Sequence, residues 1–264
     1  MAGRVIEIAG RKVGDGHPPI ISAEVGLNHG GLMSRAFQLI AAAAACGCDA
    51  VKFQNYRTAD FVKNRDEVYD NGHGYINRMW DMCQECELAF DDLKHLKQYA
   101  DNLGIIFPST PTSREGVDDL VKLGVPVLKN GADYWEHPHL MWYMLNTGIP
   151  VVASTAKGFG QFEDWAFFWP KHPSDLIVLH TVREYPAKDW NRDRFEDVAC
   201  SYRPFYGYSD HTIGIEAAVE AVKLGACWVE FHLTLDKTMH GPDHWFSKDP
   251  QEVKEMVSKI REIG

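Results

Sequence analysis

Runs of basic residues are missing from this 264-residue sequence: 27 Lys and Arg stand against 37 Asp and Glu, for a formal net charge of −10. A general nucleic-acid surface and adhesion to anionic lipid both need grouped Lys and Arg, so neither partner is expected. An apolar run of membrane-spanning length is missing too. The most apolar stretch, "LIAAAAACGCDAV", is short and alanine-rich, and "MAGRVIEIAG" has no apolar signal core, so a soluble, cytoplasmic protein is expected. Low-complexity tracts are absent, and 45% hydrophobic with 24% charged residues is an ordinary globular balance. Cysteine is sparse and scattered (Cys46, Cys48, Cys83, Cys86, Cys200, Cys227), which excludes a small disulfide scaffold. Cys83 and Cys86 form a CxxC in a helical setting, "INRMWDMCQECEL", with no second pair, and ordinary reduced thiols are the expectation over a redox or zinc pair.

A glycine-rich phosphate loop is also lacking, since no GxGxxG and no P-loop lysine follows the first buried strand, "PIISAEVG". What is present is an alternation. Short apolar runs ("PIISAEVG", "DAVKFQ", "GIIFPST", "VPVLKN", "IPVVAST", "DLIVLHT", "FYGYSD", "CWVEFHLT") are separated by segments of helical periodicity, several ending in glycine just before the next run. Eight strand–loop–helix units in about 250 residues are the size of a (β/α)8 TIM barrel, whose parallel strands are buried on both faces. A doubly wound sheet is the competing fold. The expected organisation is one barrel domain over residues 1–264, with a short N-terminal β-hairpin within residues 1–17 and a long active-site loop at residues 55–89. Residues 182–203 form a second excursion.

In such a barrel the catalytic groups lie at the C-terminal ends of the strands. There the sequence places Glu24; Lys52 and Gln54; Ser109 and Thr110; Lys129; Ser154 and Thr155; His180, Arg183 and Tyr185; Ser209, Asp210 and His211; and Glu230 and His232. Each alone has a structural explanation: a strand-end hydroxyl caps the next helix, a lysine snorkels, a lone histidine is a satisfied core residue. Lysines inside apolar "AVKFQ" and "VPVLKN", however, need an anion or carboxylate to neutralise them. His211 and His232 end neighbouring seventh and eighth strands. Two imidazoles plus water suit a catalytic divalent ion with open positions, although spacing alone leaves two unrelated core histidines equally open. Two lysines beside such an ion suggest a phosphorylated or carboxylated substrate.

The ordered set "ISAEVGLNHGG", "DAVKFQ", "FPSTPTS", "VPVLKNGAD", "PVVAST", "LHTVREYPA", "GYSDHTIGIEAAVEAVKLGA", "VEFHLTLD" and "GPDHWFS" resembles the N-acylneuraminate (sialic acid) synthase family from residue 18 onward. The resemblance implies a (β/α)8 barrel that condenses phosphoenolpyruvate with the open-chain aldehyde of an N-acylated hexosamine, releasing phosphate. It implies a divalent metal, typically Mn²⁺ with Mg²⁺ or Co²⁺ as alternatives, held by His211 and His232. Lys52, Thr110, Lys129, Tyr185 and Ser209 match positions contacting phosphoenolpyruvate, while Glu24 and Asp243 match acidic positions at the reacting or sugar end. Gln54, Ser109 and Arg183 complete the expected substrate-binding set, and Asp210 is read as orienting its neighbours.

Departures from the family pattern are Ala132 where a serine is usual, Arg183 where a small polar residue is common, and Lys157 where the family tends to have glycine and methionine. Family members also commonly continue into a small antifreeze-like domain that supplies an arginine to the partner subunit's sugar. This sequence stops at "VSKIREIG". The expectation is therefore an excised barrel, or a short protein with a different acceptor, a homodimeric or separate partner completing the site, or residues 55–89 as its own lid. An aldolase-type carbon–carbon bond enzyme and a catalytically lapsed binding subunit are the alternative readings.

Overall fold

The computed structural model describes residues 4–134, 137–156 and 175–263. An N-terminal antiparallel hairpin, β1 (Val5–Ile8) and β2 (Arg11–Gly14), precedes the barrel. The chain then runs through β3 (Ile20–Glu24), α1 (Met33–Ala45), β4 (Ala50–Asn55), α2 (Thr58–Phe61), β5 (Val68–Asp70), β6 (Ile76–Arg78), α3 (Met79–Glu85) and α4 (Phe90–Asn102). It continues with β7 (Ser109–Pro111), α5 (Arg114–Leu123), β8 (Leu128–Asn130), α6 (Pro138–Leu145), β9 (Val151–Thr155) and β10 (Leu176–Thr181). The last elements are α7 (Arg192–Tyr202), β11 (Tyr206–Asp210), α8 (Glu216–Lys223), β12 (Trp228–His232) and α9 (Pro250–Arg261). Eight parallel strands close in the order β3-β4-β7-β8-β9-β10-β11-β12, with β12 paired back onto β3. This is the expected (β/α)8 barrel with its N-terminal hairpin.

Local chemistry sets the element ends. Ser113 caps α5 by accepting from the Gly116 amide at 3.1 Å, and Gly124 (φ +71°) ends it in the left-handed region that costs a glycine little. Asp249 accepts from the Gln251 and Glu252 amides to start α9, with Pro250 in its first turn and Lys259 and Arg261 in its last.

Strand alternation divides the core in two. Residues such as Ile21, Ala23, Val51, Phe53, Val178, Tyr208, Val229 and Phe231 face the surrounding helices. Their neighbours Ile20, Ala50, Ile106, Val127, Val152, Ile177, Phe205 and Trp228 fill the N-terminal end of the barrel interior, where Ile6, Ile8 and Val13 of the hairpin join them as a plug. Gly207 has no room for a side chain there: a Cβ would meet the Trp228 carbonyl oxygen and come within 2.7 Å of Leu179. One strand position further toward the C-terminal end, the inward residues turn polar.

Both excursions differ from plain loops. Residues 55–89 carry α2, the β5–β6 hairpin and α3 around a small core of Tyr56, Val62, Tyr75, Met82 and Cys83. The second half of 182–203 is α7, which packs on β10 and β11 and so restores the strand–helix rhythm there. Its apolar positions Phe195, Val198 and Ala199 are few, and charged residues between them hide the helical period.

Candidate active site

Each strand delivers one or two inward side chains to a single cavity at the C-terminal mouth: Glu24 from β3, Lys52 and Gln54 from β4, Thr110 from β7, Lys129 from β8 and Ser154 from β9. Thr181 of β10, Ser209 of β11, Glu230 and His232 of β12, and His211 just past β11 complete the ring. The segments after the strands add Tyr56, Ala132, Asp133, Tyr134 and Tyr185, and α2 adds Phe61.

At the cavity floor two ammonium groups face two carboxylates. Lys52 Nζ lies 2.5 Å from Glu24 Oε2 and 3.8 Å from Glu230 Oε1, and donates to Thr110 Oγ1 at 3.2 Å. Lys129 Nζ lies 3.4 Å from Glu230 Oε1 and donates to Ser154 Oγ at 2.7 Å and the Asn130 carbonyl at 3.1 Å. Ser209 donates to Glu230 Oε1 at 3.1 Å, and Gln54 to Glu24 Oε1 at 3.4 Å. All four charged groups are buried. Burial lifts Glu24 above the usual carboxylate range despite Lys52 beside it. Burial works the same way on Glu230, but Lys129 and Lys52 outweigh it and hold Glu230 below that range. Lys52 is held above the ordinary lysine value because Glu230 and Glu24 overcome its desolvation, whereas burial brings Lys129 down to about 8. The two carboxylates are thus pushed in opposite directions, Glu24 up by burial and Glu230 down by the two lysines.

Above this floor the rings of His211 and His232 lie 5.4 Å apart between centroids. His211 Nδ1 sits 2.7 Å from the Val182 carbonyl, an oxygen that only accepts, so the proton belongs on Nδ1 and the Nε2 lone pair is left bare. Among the described residues His232 Nδ1 is buried without a hydrogen-bond partner, 3.6 Å from Asp243 Oδ2. Burial lowers both imidazoles, His211 to about 4, which keeps them in the neutral form that ligates metals. Among the described residues no three His, Cys, Asp or Glu side chains form a metal-holding group. The donor set is two neutral imidazoles, one with an orphaned nitrogen, and it fits a divalent ion whose other positions are open.

Nine of the twelve residues given a catalytic, metal or substrate-binding role from sequence line the cavity: Glu24, Lys52, Gln54, Thr110, Lys129, Tyr185, Ser209, His211 and His232. Three expected there do not line it. Ser109 is turned away by strand alternation and donates to the Phe53 carbonyl at 3.1 Å. Arg183 stands half-exposed at the rim, with Nη2 2.6 Å from Asp133 Oδ1. Asp243 packs behind His232, where burial and then Glu24 push its carboxyl up to about 7. His180 also faces outward, its Nε2 2.9 Å from the Trp190 carbonyl. Ala132 does line the cavity, while Lys157 lies outside the described residues. Glu230 received no role from sequence although it sits two positions before His232 on the same strand face, and it proves to be the carboxylate both lysines share. The aromatic wall of Tyr56, Phe61 and Tyr134 gave no sequence signal, because those residues come from the segments between strands and helices and from the one-turn helix α2, outside any apolar repeat. Cys83 and Cys86 are free, buried thiols pushed up to about 11 and about 12 by burial, away from the thiolate.

A closed parallel barrel with polar and charged groups gathered at its C-terminal mouth defines the (β/α)8 class, whose active sites lie at that face. Within that class the chain belongs to the NeuB family, which it matches over residues 39–264. It is 39% identical over 260 residues to the uncharacterized protein MJ1065 of Methanocaldococcus jannaschii, covering 97% of this chain and 74% of that one. It is 35% identical over 254 residues to the N,N'-diacetyllegionaminic acid synthase of Legionella pneumophila, covering 92% and 71%. Among solved structures, the N-acetylneuraminic acid synthetase of Leptospira borgpetersenii superposes with a TM-score of 0.90 at 28% identity, covering 99% of this chain and 89% of that one. The chain is thus sialic-acid- and legionaminic-acid-synthase-like. No described helix is long and apolar enough to cross a membrane.

Proposed function

We propose that the protein condenses phosphoenolpyruvate with the open-chain aldehyde of an N-acylhexosamine or related aldose, giving a sialic-acid-like α-keto acid and inorganic phosphate. The observation that carries this reading is the buried floor, where Lys52 and Lys129 pair with Glu24 and Glu230. A small substrate with a phosphate and a carboxylate gives those ammonium groups stronger partners, and the upward push on Glu24 weakens its hold on Lys52 in favour of such an anion. Thr110, Ser154 and Ser209, already bonded to the charged groups, offer hydroxyls to the same anions. Carbon 3 of phosphoenolpyruvate attacks the aldehyde carbon and carbon 2 gains cationic character. Water, steered by Glu24, then adds to carbon 2, and the tetrahedral intermediate loses phosphate by C–O cleavage.

His211 and His232 would hold a divalent metal, Mn²⁺ in preference to Mg²⁺ or Co²⁺. Such an ion supplies Lewis-acid polarisation of the aldehyde oxygen. Replacing either histidine by alanine should abolish metal-dependent turnover while the circular dichroism spectrum and melting curve stay close to wild type. Full activity in either variant would remove the metal assignment.

One observation favours a second reading, an imine-forming aldolase. Burial brings Lys129 down to about 8, a value that suits amine attack on a carbonyl. Borohydride treatment with pyruvate separates the two: a covalent adduct at Lys129 supports the aldolase, and an unmodified chain that still binds phosphoenolpyruvate supports the condensation.

A further inference from the structure

Outside the cavity wall, Asp210 and Lys248 form an ion pair in which neither side chain is more than 2% exposed, with Nζ 2.8 Å from Oδ2. Two unpaired charges would be costly at such a place, and a pair of apolar residues would serve stability as well. Its connections suggest what it does. Asp210 Oδ1 accepts from the Thr212 amide at 2.8 Å and from the Thr212 hydroxyl at 2.7 Å. Lys248 Nζ also donates to the Thr212 carbonyl at 3.2 Å. The residues on either side of His211 are therefore gripped together by one ammonium group. The backbone of the same lysine reaches the other imidazole's strand: the Lys248 amide donates to the His232 carbonyl at 2.8 Å, and its carbonyl accepts from the Thr234 amide at 3.0 Å.

We propose that the buried Asp210–Lys248 pair is a positioning clamp that fixes the separation and orientation of the His211 and His232 imidazoles. Lys248 holds His211 through its side chain and His232 through its main chain, so the two rings share one rigid reference although they end different strands. Asp210 and Lys248 are positioning residues that touch neither substrate nor reacting atoms. As a device for metal binding, the clamp rests on the function proposed above. As a device for holding two imidazoles, it is testable without metal.

The single variant Lys248→Met would strand a buried carboxylate and threaten the fold, so the informative chain is the double variant Asp210→Asn/Lys248→Met. It keeps an acceptor for the Thr212 amide and leaves no lone charge. Two measurements are made on the folded protein. In metal-free protein, imidazole ¹⁵N–¹H spectra should show a single Nδ1–H form of His211 in wild type and a mixture of tautomers or broadened signals in the double variant. Titration of Mn²⁺ followed by electron paramagnetic resonance should give a dissociation constant weakened about tenfold or more in the double variant, with a melting temperature near wild type. Unchanged imidazole spectra together with unchanged Mn²⁺ affinity would overturn the clamp. If wild type binds no Mn²⁺ while its imidazoles lose their fixed tautomer in the double variant, the clamp stands and the metal assignment falls.

Discussion

Lys129 shows how burial tunes one side chain for one task. In the proposed reaction its ammonium holds an anion, yet desolvation brings its ionisation down to about 8. Below that pH the group is charged in the free protein, and above it the charge is lost, so affinity for an anionic substrate must decline as pH rises through about 8. The kcat/KM for phosphoenolpyruvate should fall by about tenfold per pH unit above that point. Lys129→Arg, which cannot deprotonate in this range, should show a lower but flat profile over the same interval. A pH–rate series on both proteins checks this. Lys129 was legible in the sequence because a lysine inside an apolar run demands a partner. Glu230 was not given a role for a reciprocal reason: the shared carboxylate of a two-lysine cluster is recognisable only once closure of the barrel brings β4, β8 and β12 around one point.

At the level of elements, the segment between β4 and α4 is a docked flap with its own core. The ring of His73 stacks on Trp245 at 3.4 Å between centroids, Tyr75 meets His240 at 4.8 Å, and Asn71 Nδ2 donates to the Pro242 carbonyl at 3.2 Å. The β5–β6 hairpin is thereby pinned to the loop after β12, the strand that carries His232. A stacked aromatic pair contributes about 0.5–1.5 kcal/mol beyond its buried area, so Trp245→Ala should speed hydrogen exchange of the amides in residues 67–79 by up to about tenfold. Exchange in β3 and β4 should be unaffected, as the barrel strands open only with the whole fold. Periodicity alone revealed the eight strands and most helices, since both are written in apolar spacing. It did not reveal α7 or the flap, because α7 buries a narrow stripe and the flap's small core draws on Tyr56, Val62, Tyr75, Met82 and Cys83, which share no repeat.

The whole molecule separates stability from chemistry by barrel end. The hairpin seals the N-terminal end with Ile6, Ile8 and Val13, and Arg11 and Arg261 both reach the buried Asp49, whose Oδ2 also accepts from the Ile21 amide at 2.8 Å. The N-terminal hairpin, β3, the turn between α1 and β4, and α9 are thus tied at the end opposite the cavity. Ile8→Ala should destabilise the protein by about 2–5 kcal/mol, lowering the melting temperature by about 4 °C or more, while KM for phosphoenolpyruvate stays at the wild-type value. At the other end, charged groups from several strands converge on the cavity in which we propose that phosphoenolpyruvate condenses with an aldose. The most direct measurement of that condensation is phosphate release from phosphoenolpyruvate labelled with ¹⁸O at the bridging oxygen, with Mn²⁺ and a panel of N-acylhexosamines. Release of phosphate that carries the label, dependent on both metal and acceptor and matched by an α-keto acid of the summed carbon count, is the predicted result. Phosphate release that is absent with every acceptor, or that leaves the label in the carbon product, would contradict it.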